Sequence, residues 1–405
     1  MTYTADSTLI HRVRLRNYKS IAACDVVLGP LTFLVGPNGA GKSNFLDALR
    51  LVAEALNFSL RRAIRERWGL SQVLRKSIEH PGELGIRLDL VLPGGQSGHF
   101  ALEVATKGKG YEIRAEECYV RDGAGGVRAW YRVQAGQPSG SFEPLPPASL
   151  DSLYLVAVSG LPSFRLAYDS LSQMSFYNFN PGQIAKVQPV EEGNVLAWDG
   201  RNIASVIAQL EAREPHIKRR IEEYLSKITP GIKEVKADIF GSMASLEFMQ
   251  EVTGSAEPWR FMATNMSDGT LRTLGVLVAL FQSAEKPEPR VPLVGIEEPE
   301  VALHPSAAEV LMDSLRDASQ QRQILITSHS PDLLDNPNVA DHELLAVIAE
   351  KNETRMGRLD EAGRSALRDH LYTAGELLRA NQLQPDEVSR TLTAEHLYLF
   401  DTPRD

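Results

Sequence analysis

Eight consecutive residues, Gly36-Pro37-Asn38-Gly39-Ala40-Gly41-Lys42-Ser43, have the types and spacing needed to hold a phosphate. A glycine, four residues and then Gly-Lys-Ser let successive backbone N–H groups curl around an anion, because Gly36, Gly39 and Gly41 tolerate backbone angles that a side chain forbids. Lys42 can reach the β- and γ-phosphates of a nucleoside triphosphate, and Ser43 offers a hydroxyl to Mg²⁺. From Asn44 the chain reads as a helix whose positive dipole end faces the same anion. The pattern predicts ATP and Mg²⁺ as ligands.

Three further groups of residues could complete such a site. Val291–Glu298 is an apolar run ending in paired carboxylates. At a strand's C-terminal edge, Glu297 is placed to meet the metal through water, and Glu298 to act as the base that orients the attacking water. A solvated strand end is the plain alternative for the pair. Ser267 and Gly269 open a helical run whose first N–H groups could grasp an anion, or merely cap that helix. Finally, Gln323–Thr327 is a hydrophobic strand that delivers Ser328 and His329 to a sheet edge just before Pro331.

The elements that must position these residues follow from periodicity. Leu31–Val35 is an apolar, β-rich run directly before the phosphate loop, so strand, loop and helix occur in the required order. Ile10–Leu15 alternates apolar and polar residues, a second strand is expected near Cys24–Leu28, and Ile86–Val91, Phe100–Val104 and Tyr111–Ala115 predict an antiparallel sheet. Gln134–Pro147, rich in Gly, Pro and Ser, reads as a loop or linker. Asn202–Ala212 and Ile217–Lys227 predict a short helical hairpin, too short for sustained heptads. In the second half, helix Leu271–Gln282, strand Val291–Ile296, helix Ser306–Ser319, strand Gln323–Thr327 and a strand at Glu343–Ile348 alternate, which implies a parallel sheet covered by helices. Glu361–Ala380 reads as a helical tail. The expected divisions are 1–133, an N-terminal half with the phosphate loop and an antiparallel β lobe; 134–260, linker, hairpin insertion and strands; 261–350, the C-terminal half; and 351–405, the tail.

Composition sets bounds on function. The 405 residues are 43% hydrophobic and 23% charged, as in ordinary globular proteins. No apolar run reaches the roughly 18 residues that cross a bilayer, and the first residues lack a signal peptide's basic and hydrophobic regions, so a cytoplasmic location away from membranes is expected. Cys24 and Cys118 are too few for a disulfide framework or a zinc site. A net charge of −9 means that any contact with DNA must use a local basic patch.

In order and wording the motifs resemble the ABC-type ATPases of the SMC and RecF group, and within it the standalone bacterial AAA-family ATPases near the overcoming-lysogenization-defect (OLD) proteins. Gly36–Ser43 matches Walker A, Met266–Thr270 the signature motif, Ile296–Glu300 Walker B, Val301–Pro305 the D-loop, and Thr327–His329 the switch-histidine motif. Asp199–Ser205, just before the hairpin, also looks like the standalone group. The resemblance departs at two places: Walker B usually has Asp where this chain has Glu297, and the signature usually has Gly where it has Asp268. The Q-loop glutamine has only Gln72 as a candidate.

The resemblance implies an α/β, ABC-type P-loop fold with a mixed and parallel sheet, an antiparallel β lobe and a short helical insertion. It also implies a head-to-tail dimer in which Lys42, Ser43 and Mg²⁺ serve one triphosphate while Ser267 and Gly269 of the other copy contact its γ-phosphate, with Glu298 and His329 positioning water. ATP would act as a removable glue. Similar standalone ATPases regulate a separately encoded effector in bacterial defence modules, and OLD nucleases carry a Toprim nuclease domain after the switch histidine where this chain has a strand-and-helix tail. A RecF-like DNA-repair clamp is the second reading, in which Arg61, Arg62, Arg65, Arg67, Arg75, Lys76, Arg219 and Arg220 could contact phosphates, although their spacing favours solvated helix faces over phosphate contacts. A scaffold that holds ATP without hydrolysing it is the third.

Overall fold

In the computed structural model the described residues are 8–401, apart from 79, 109, 150, 192–194 and 283–290. Alternation builds the first layer. Along Ile10–Tyr18, Ile10, Val13, Leu15 and Tyr18 are buried, and Arg12, Arg14 and Arg16 between them face outward. This strand pairs antiparallel with Ile21–Val27 on one side and Glu83–Leu92 on the other. Gln96–Lys107, Gly110–Arg121, Val127–Gln134 and Gln137–Gly140 extend the wing, each antiparallel to the one before. The segment expected as a linker from Gln134 therefore carries the wing's edge strand. Ala135 and Gly136, at φ 48° and 79°, turn the chain between the paired Gln134 and Gln137, the two-residue hairpin geometry that left-handed residues permit.

The same sheet continues into a parallel half, giving 13 strands among the described residues. Leu31–Val35 lies between Gln323–Ser328 and Leu344–Glu350, both parallel to it. Beyond Gln323–Ser328 come Leu293–Glu297 and then Ser175–Tyr177, again parallel. Leu31–Val35 and Gln323–Ser328 are buried throughout, as expected of strands covered on both faces. Glu353–Arg358 pairs back onto Leu344–Glu350 and touches Ile21 through Thr354, so it joins the two halves. The segment 351–405 is therefore not purely a helical tail: it begins with a central strand, and its helices Glu361–Arg368 and Ala374–Arg379 follow.

Two large cores flank the sheet, and Ala23, Leu397 and Leu399 form a third, small one. The helix Lys42–Asn57 buries Phe45, Leu46, Leu49, Val52 and Leu56 against the wing and the helix Pro162–Ser172. At ~1.5–3 kcal/mol per buried side chain this stripe fixes how the helix leaves the phosphate loop. Cys24 and Cys118 are buried free thiols in this core. On the other face, helices Ile203–Arg213 and Pro215–Ile228 form the expected compact hairpin, backed by a four-stranded sheet that includes Ile232–Phe240 and Met243–Gln250. Both pack with Asp268–Phe281, which is apolar on every side because it lies between them and the main sheet. Among the described residues no helix is long and apolar enough to cross a membrane.

Candidate active site

Parallel pairing brings the C-terminal ends of four strands to one edge. Val35 is level with Ser328, Thr327 with Glu297, and Ile296 with Tyr177. The phosphate loop leaves this edge at Gly36, where an added Cβ would lie 1.9 Å from the Val347 carbonyl oxygen, so only glycine fits. Gly39 and Gly41 take φ of 77° and 105°, and Pro37, Asn38 and Gly39 form the exposed rim. Lys42 is buried, and its Nζ donates to the carbonyls of Gly36 at 2.7 Å and Pro37 at 2.9 Å. It is thereby held across the hollow of the loop. Burial lowers its pKa, opposed by the nearby charges of Glu298 and Glu300.

The carboxylates meet the loop from the neighbouring strands. Ser43 Oγ donates to Glu297 Oε2 at 2.6 Å. The pair stands where an octahedral cation would take a hydroxyl and a carboxylate, so the donor set fits Mg²⁺. Glu298 sits at φ 45°, a left-handed angle that costs a non-glycine residue on the order of 1 kcal/mol. Its N–H is held by the carbonyl of Thr327 at 3.0 Å and by Thr327 Oγ1 at 3.2 Å, which turns the side chain out of the strand. Glu298 Oε1 then lies 3.0 Å from His329 Nδ1, both side chains about one-third exposed. Glu300 is buried, accepts from Ser328 Oγ at 2.6 Å through one oxygen and leaves the other without a hydrogen bond. Desolvation raises its pKa.

The signature residues have a different setting. Ser267 caps the helix Asp268–Phe281 by accepting from the N–H of Thr270 at 3.2 Å. Gly269 is pressed to the D-loop, since a Cβ there would come within 2.3 Å of the Ala302 carbonyl oxygen. Ser267 and Asp268 are exposed. The structure thus brings Lys42, Ser43, Glu297, Glu298 and His329 together, while Ser267 stands exposed at a helix start beside the D-loop and Gly269 is buried against that loop. Asn44 uses its side-chain amide on Ser20 at 2.7 Å.

Several neighbours escaped the sequence reading. Arg272, one turn into the signature helix, donates to the Phe179 carbonyl at 3.1 Å and lies within electrostatic reach of Glu298, Glu300 and Glu297; desolvation lowers its pKa against their pull. Asn178, directly after the strand Ser175–Tyr177, lines a small cleft with Glu297, Asp47 and Arg50. Gln72, the residue weighed for the Q-loop, is instead an exposed group bonded to Lys76. No local pattern marks Asn178; only its strand's place beside Leu293–Glu297 does. The basic residues weighed as DNA contacts are largely engaged: Arg67 with Asp47 and Glu54, Arg75 with Glu353, Arg61 with Asp151, Arg62 with Glu66 and Arg220 with Asp317.

Fold and site together define an ABC-type ATPase of the SMC, RecF and OLD kind. The chain belongs to the family described as "AAA domain, putative AbiEii toxin, Type IV TA system", whose model matches residues 31–116 and 156–335. It is 23% identical over 374 residues to an OLD nuclease of Thermus scotoductus, covering 86% of this chain and 63% of the nuclease. It is 25% identical over 236 residues to the DNA replication and repair protein RecF of Magnetococcus marinus, covering 54% of this chain and 55% of RecF. The chain therefore spans less than two-thirds of the length of either relative. Among solved structures it resembles an Smc head bound to the C-terminal winged-helix domain of ScpA, with a TM-score of 0.53 at 14% identity over 86% of this chain and 97% of the other. An Smc head with an extended coiled coil, bound to the C-terminal domain of ScpA derived from Pyrococcus furiosus, gives 0.54 at 11% over 89% and 99%.

Proposed function

We propose that the protein binds and hydrolyses ATP as a nucleotide-gated dimeric switch that controls a separate effector in a bacterial defence or toxin-type module. The observation that carries the enzymatic part is Glu298, held at a left-handed angle by Thr327 and aimed at His329, beside a buried lysine and a serine-carboxylate pair. Strain of this kind persists only where surrounding contacts enforce it. Lys42 and the loop N–H groups would hold the β- and γ-phosphates, and Mg²⁺ held by Ser43 and Glu297 would neutralise the charge on them. As the water oxygen bonds to the γ-phosphorus and the bond to the β–γ bridging oxygen breaks, with ADP leaving, Glu298 takes the water proton, and His329 orients the Glu298 carboxylate and the γ-phosphate end of the site.

The dimeric part rests on the helix start at Ser267 and Gly269, where Ser267 and Asp268 are exposed, Gly269 is buried behind them, and the first N–H groups suit a phosphate brought by another copy. Closure of two chains over two nucleotides would be favoured while the γ-phosphate is present and released on its loss. The family description, with its toxin–antitoxin wording, supports the defence role. A DNA-repair role like that of RecF is the second reading, supported by the RecF relative. Mixing Lys42→Ala with Ser267→Arg chains tests the shared site: each variant alone is inactive, and the mixture regains roughly a quarter of the wild-type sites, because a two-fold dimer then contains one intact pair in half its members. A mixture as inactive as its components, although both variants form mixed dimers, would sink the shared site. Salt-dependent binding of duplex DNA by the wild type would favour the repair reading.

A further inference from the structure

The phosphate loop rests on a floor that none of its own motifs supplies. The hairpin Leu344–Glu350 and Glu353–Arg358 passes beneath it, with the Val347 carbonyl under Gly36 and Thr354 Oγ1 only 2.0 Å from where a Cβ on Gly41 would sit. Thr354 is 1% exposed. Its hydroxyl donates to the carbonyl of Ala40 at 2.8 Å, and its oxygen lies 2.6 Å from Ser20 Oγ. A threonine hydroxyl has one proton. With that proton on Ala40, the bond between the two hydroxyls must run from Ser20 to Thr354, and Asn44 Nδ2 donates in turn to Ser20 at 2.7 Å. The chain of donors is therefore directional: Asn44 to Ser20, Ser20 to Thr354, Thr354 to Ala40.

The consequence lies in the peptide joining Ala40 to Gly41. In a trans peptide the C=O and the N–H point in opposite directions. Fixing the Ala40 carbonyl toward Thr354, outside the loop, fixes the Gly41 N–H toward its hollow, where a phosphate oxygen would accept from it. At Gly41, φ is 105°, and glycine leaves this peptide free to rotate, so an external anchor decides its orientation.

We infer that Thr354 is a positioning residue for ATP, setting nucleotide affinity by aiming the Gly41 N–H through the Asn44–Ser20–Thr354 relay. This rests on the reading of Gly36–Ser43 as an ATP site. Through Thr354 the strand Glu353–Arg358 also joins the loop to the C-terminal segment, since Ser389 packs on Gly357 and Arg355 donates to the Leu392 carbonyl at 2.7 Å.

The test compares Thr354→Val, which keeps the shape and removes the hydroxyl, with Thr354→Ser, which keeps the donor. Titration with a fluorescent ATP analogue and steady-state phosphate release are the readouts, with thermal melting in the absence of nucleotide to check folding. Thr354→Val is expected to weaken nucleotide binding by ~10-fold, about the worth of one hydrogen bond from the Gly41 N–H to a charged phosphate oxygen, with KM rising in step and kcat within twofold. Thr354→Ser restores wild-type affinity. If Thr354→Val melts early, Ser20→Ala provides the second arm, with a smaller weakening of binding expected and kcat again unchanged. Folded Thr354→Val protein that binds as tightly as wild type overturns the inference while leaving the ATP reading intact. Equal loss in Thr354→Val and Thr354→Ser overturns it too. Wild-type protein that binds no nucleotide removes the ATP reading and the inference together.

Discussion

The outer face of the antiparallel wing and the site edge of the parallel half treat charge in opposite ways. On the wing, cations and carboxylates satisfy one another: Arg16 and Arg114 share Glu83 and Glu103, Arg87 takes Asp89 and Asp401, and Arg132 and His99 meet on Glu117. At the site edge the charged groups are held by neutral atoms. Lys42 rests on two backbone carbonyls, Glu300 keeps one oxygen unbonded, and Arg272 donates to a carbonyl while its Nε is unpartnered. A buried charge without a hydrogen-bonded counter-ion is costly, and Lys42 and Arg272 meet Glu298 and Glu300 only at longer range, which leaves both cations available to an anionic ligand.

The largest test of this contrast is Glu298→Gln. Phosphate release is expected to fall by ~10²-fold or more, the scale of losing a positioned general base, while ATP binding survives and ATP-dependent dimers accumulate in light scattering. Unchanged release would place the chemistry elsewhere. Folding should be unaffected, because the backbone bonds to Thr327 remain.

Glu116 probes the wing's interior. It is fully buried and accepts from Tyr131 Oη at 2.6 Å and from the N–H groups of Tyr154 and Leu155 at 2.6 and 2.8 Å. Those bonds favour the charged form, but desolvation outweighs them and pushes its pKa up to about 7. Between the ordinary glutamate pKa and 7 the folded state holds a proton that the unfolded state has lost, so stability falls as pH rises through that window and levels off above it. A shift of this size corresponds to a few kcal/mol, on the order of 3, across the window. Urea melts of the wild type from pH 4.5 to 7.5 should contain this slope. In Glu116→Gln that contribution disappears and overall stability drops, because an amide N–H₂ now faces a backbone donor. Identical pH profiles for the two proteins would show that Glu116 binds its proton equally in the folded and unfolded states.

The smallest effect belongs to the wing's surface. Arg12 pairs with Asp25 at 2.5 Å, but its side chain is 40% exposed. Arg12→Ala is expected to cost less than ~1 kcal/mol in the urea midpoint, as solvent-screened pairs do, and to leave ATP turnover unchanged. A loss as large as that of Glu116→Gln would mean that the wing depends on its outer charges as strongly as on its buried ones.

Much of the site was legible because its motifs are local. Gly36–Ser43 follows a strand and opens a helix, and the strands ending at Glu297 and Ser328 announce themselves as apolar runs. The wing's last hairpin was hidden because Gly and Pro signal loops on average, whereas Ala135 and Gly136 form a turn inside paired strands. The basic stretch 59–76 looked available to a polyanion, yet Arg67 and Arg75 find their acids on the phosphate-loop helix and on a strand 278 residues further along.

By itself, the amino-acid order determined the chemistry: a phosphate loop, a pair of carboxylates, a histidine and a capped helix start, each encoded within a few neighbouring residues whose backbone preferences act locally. Only the tertiary structure decided which strands lie side by side, and hence that Asn178 borders Glu297, that Glu298 faces His329, and that Thr354 lies beneath Gly41. Strand order and register depend on burying both faces of one sheet at once, a balance struck over the whole chain, which no short stretch of sequence records.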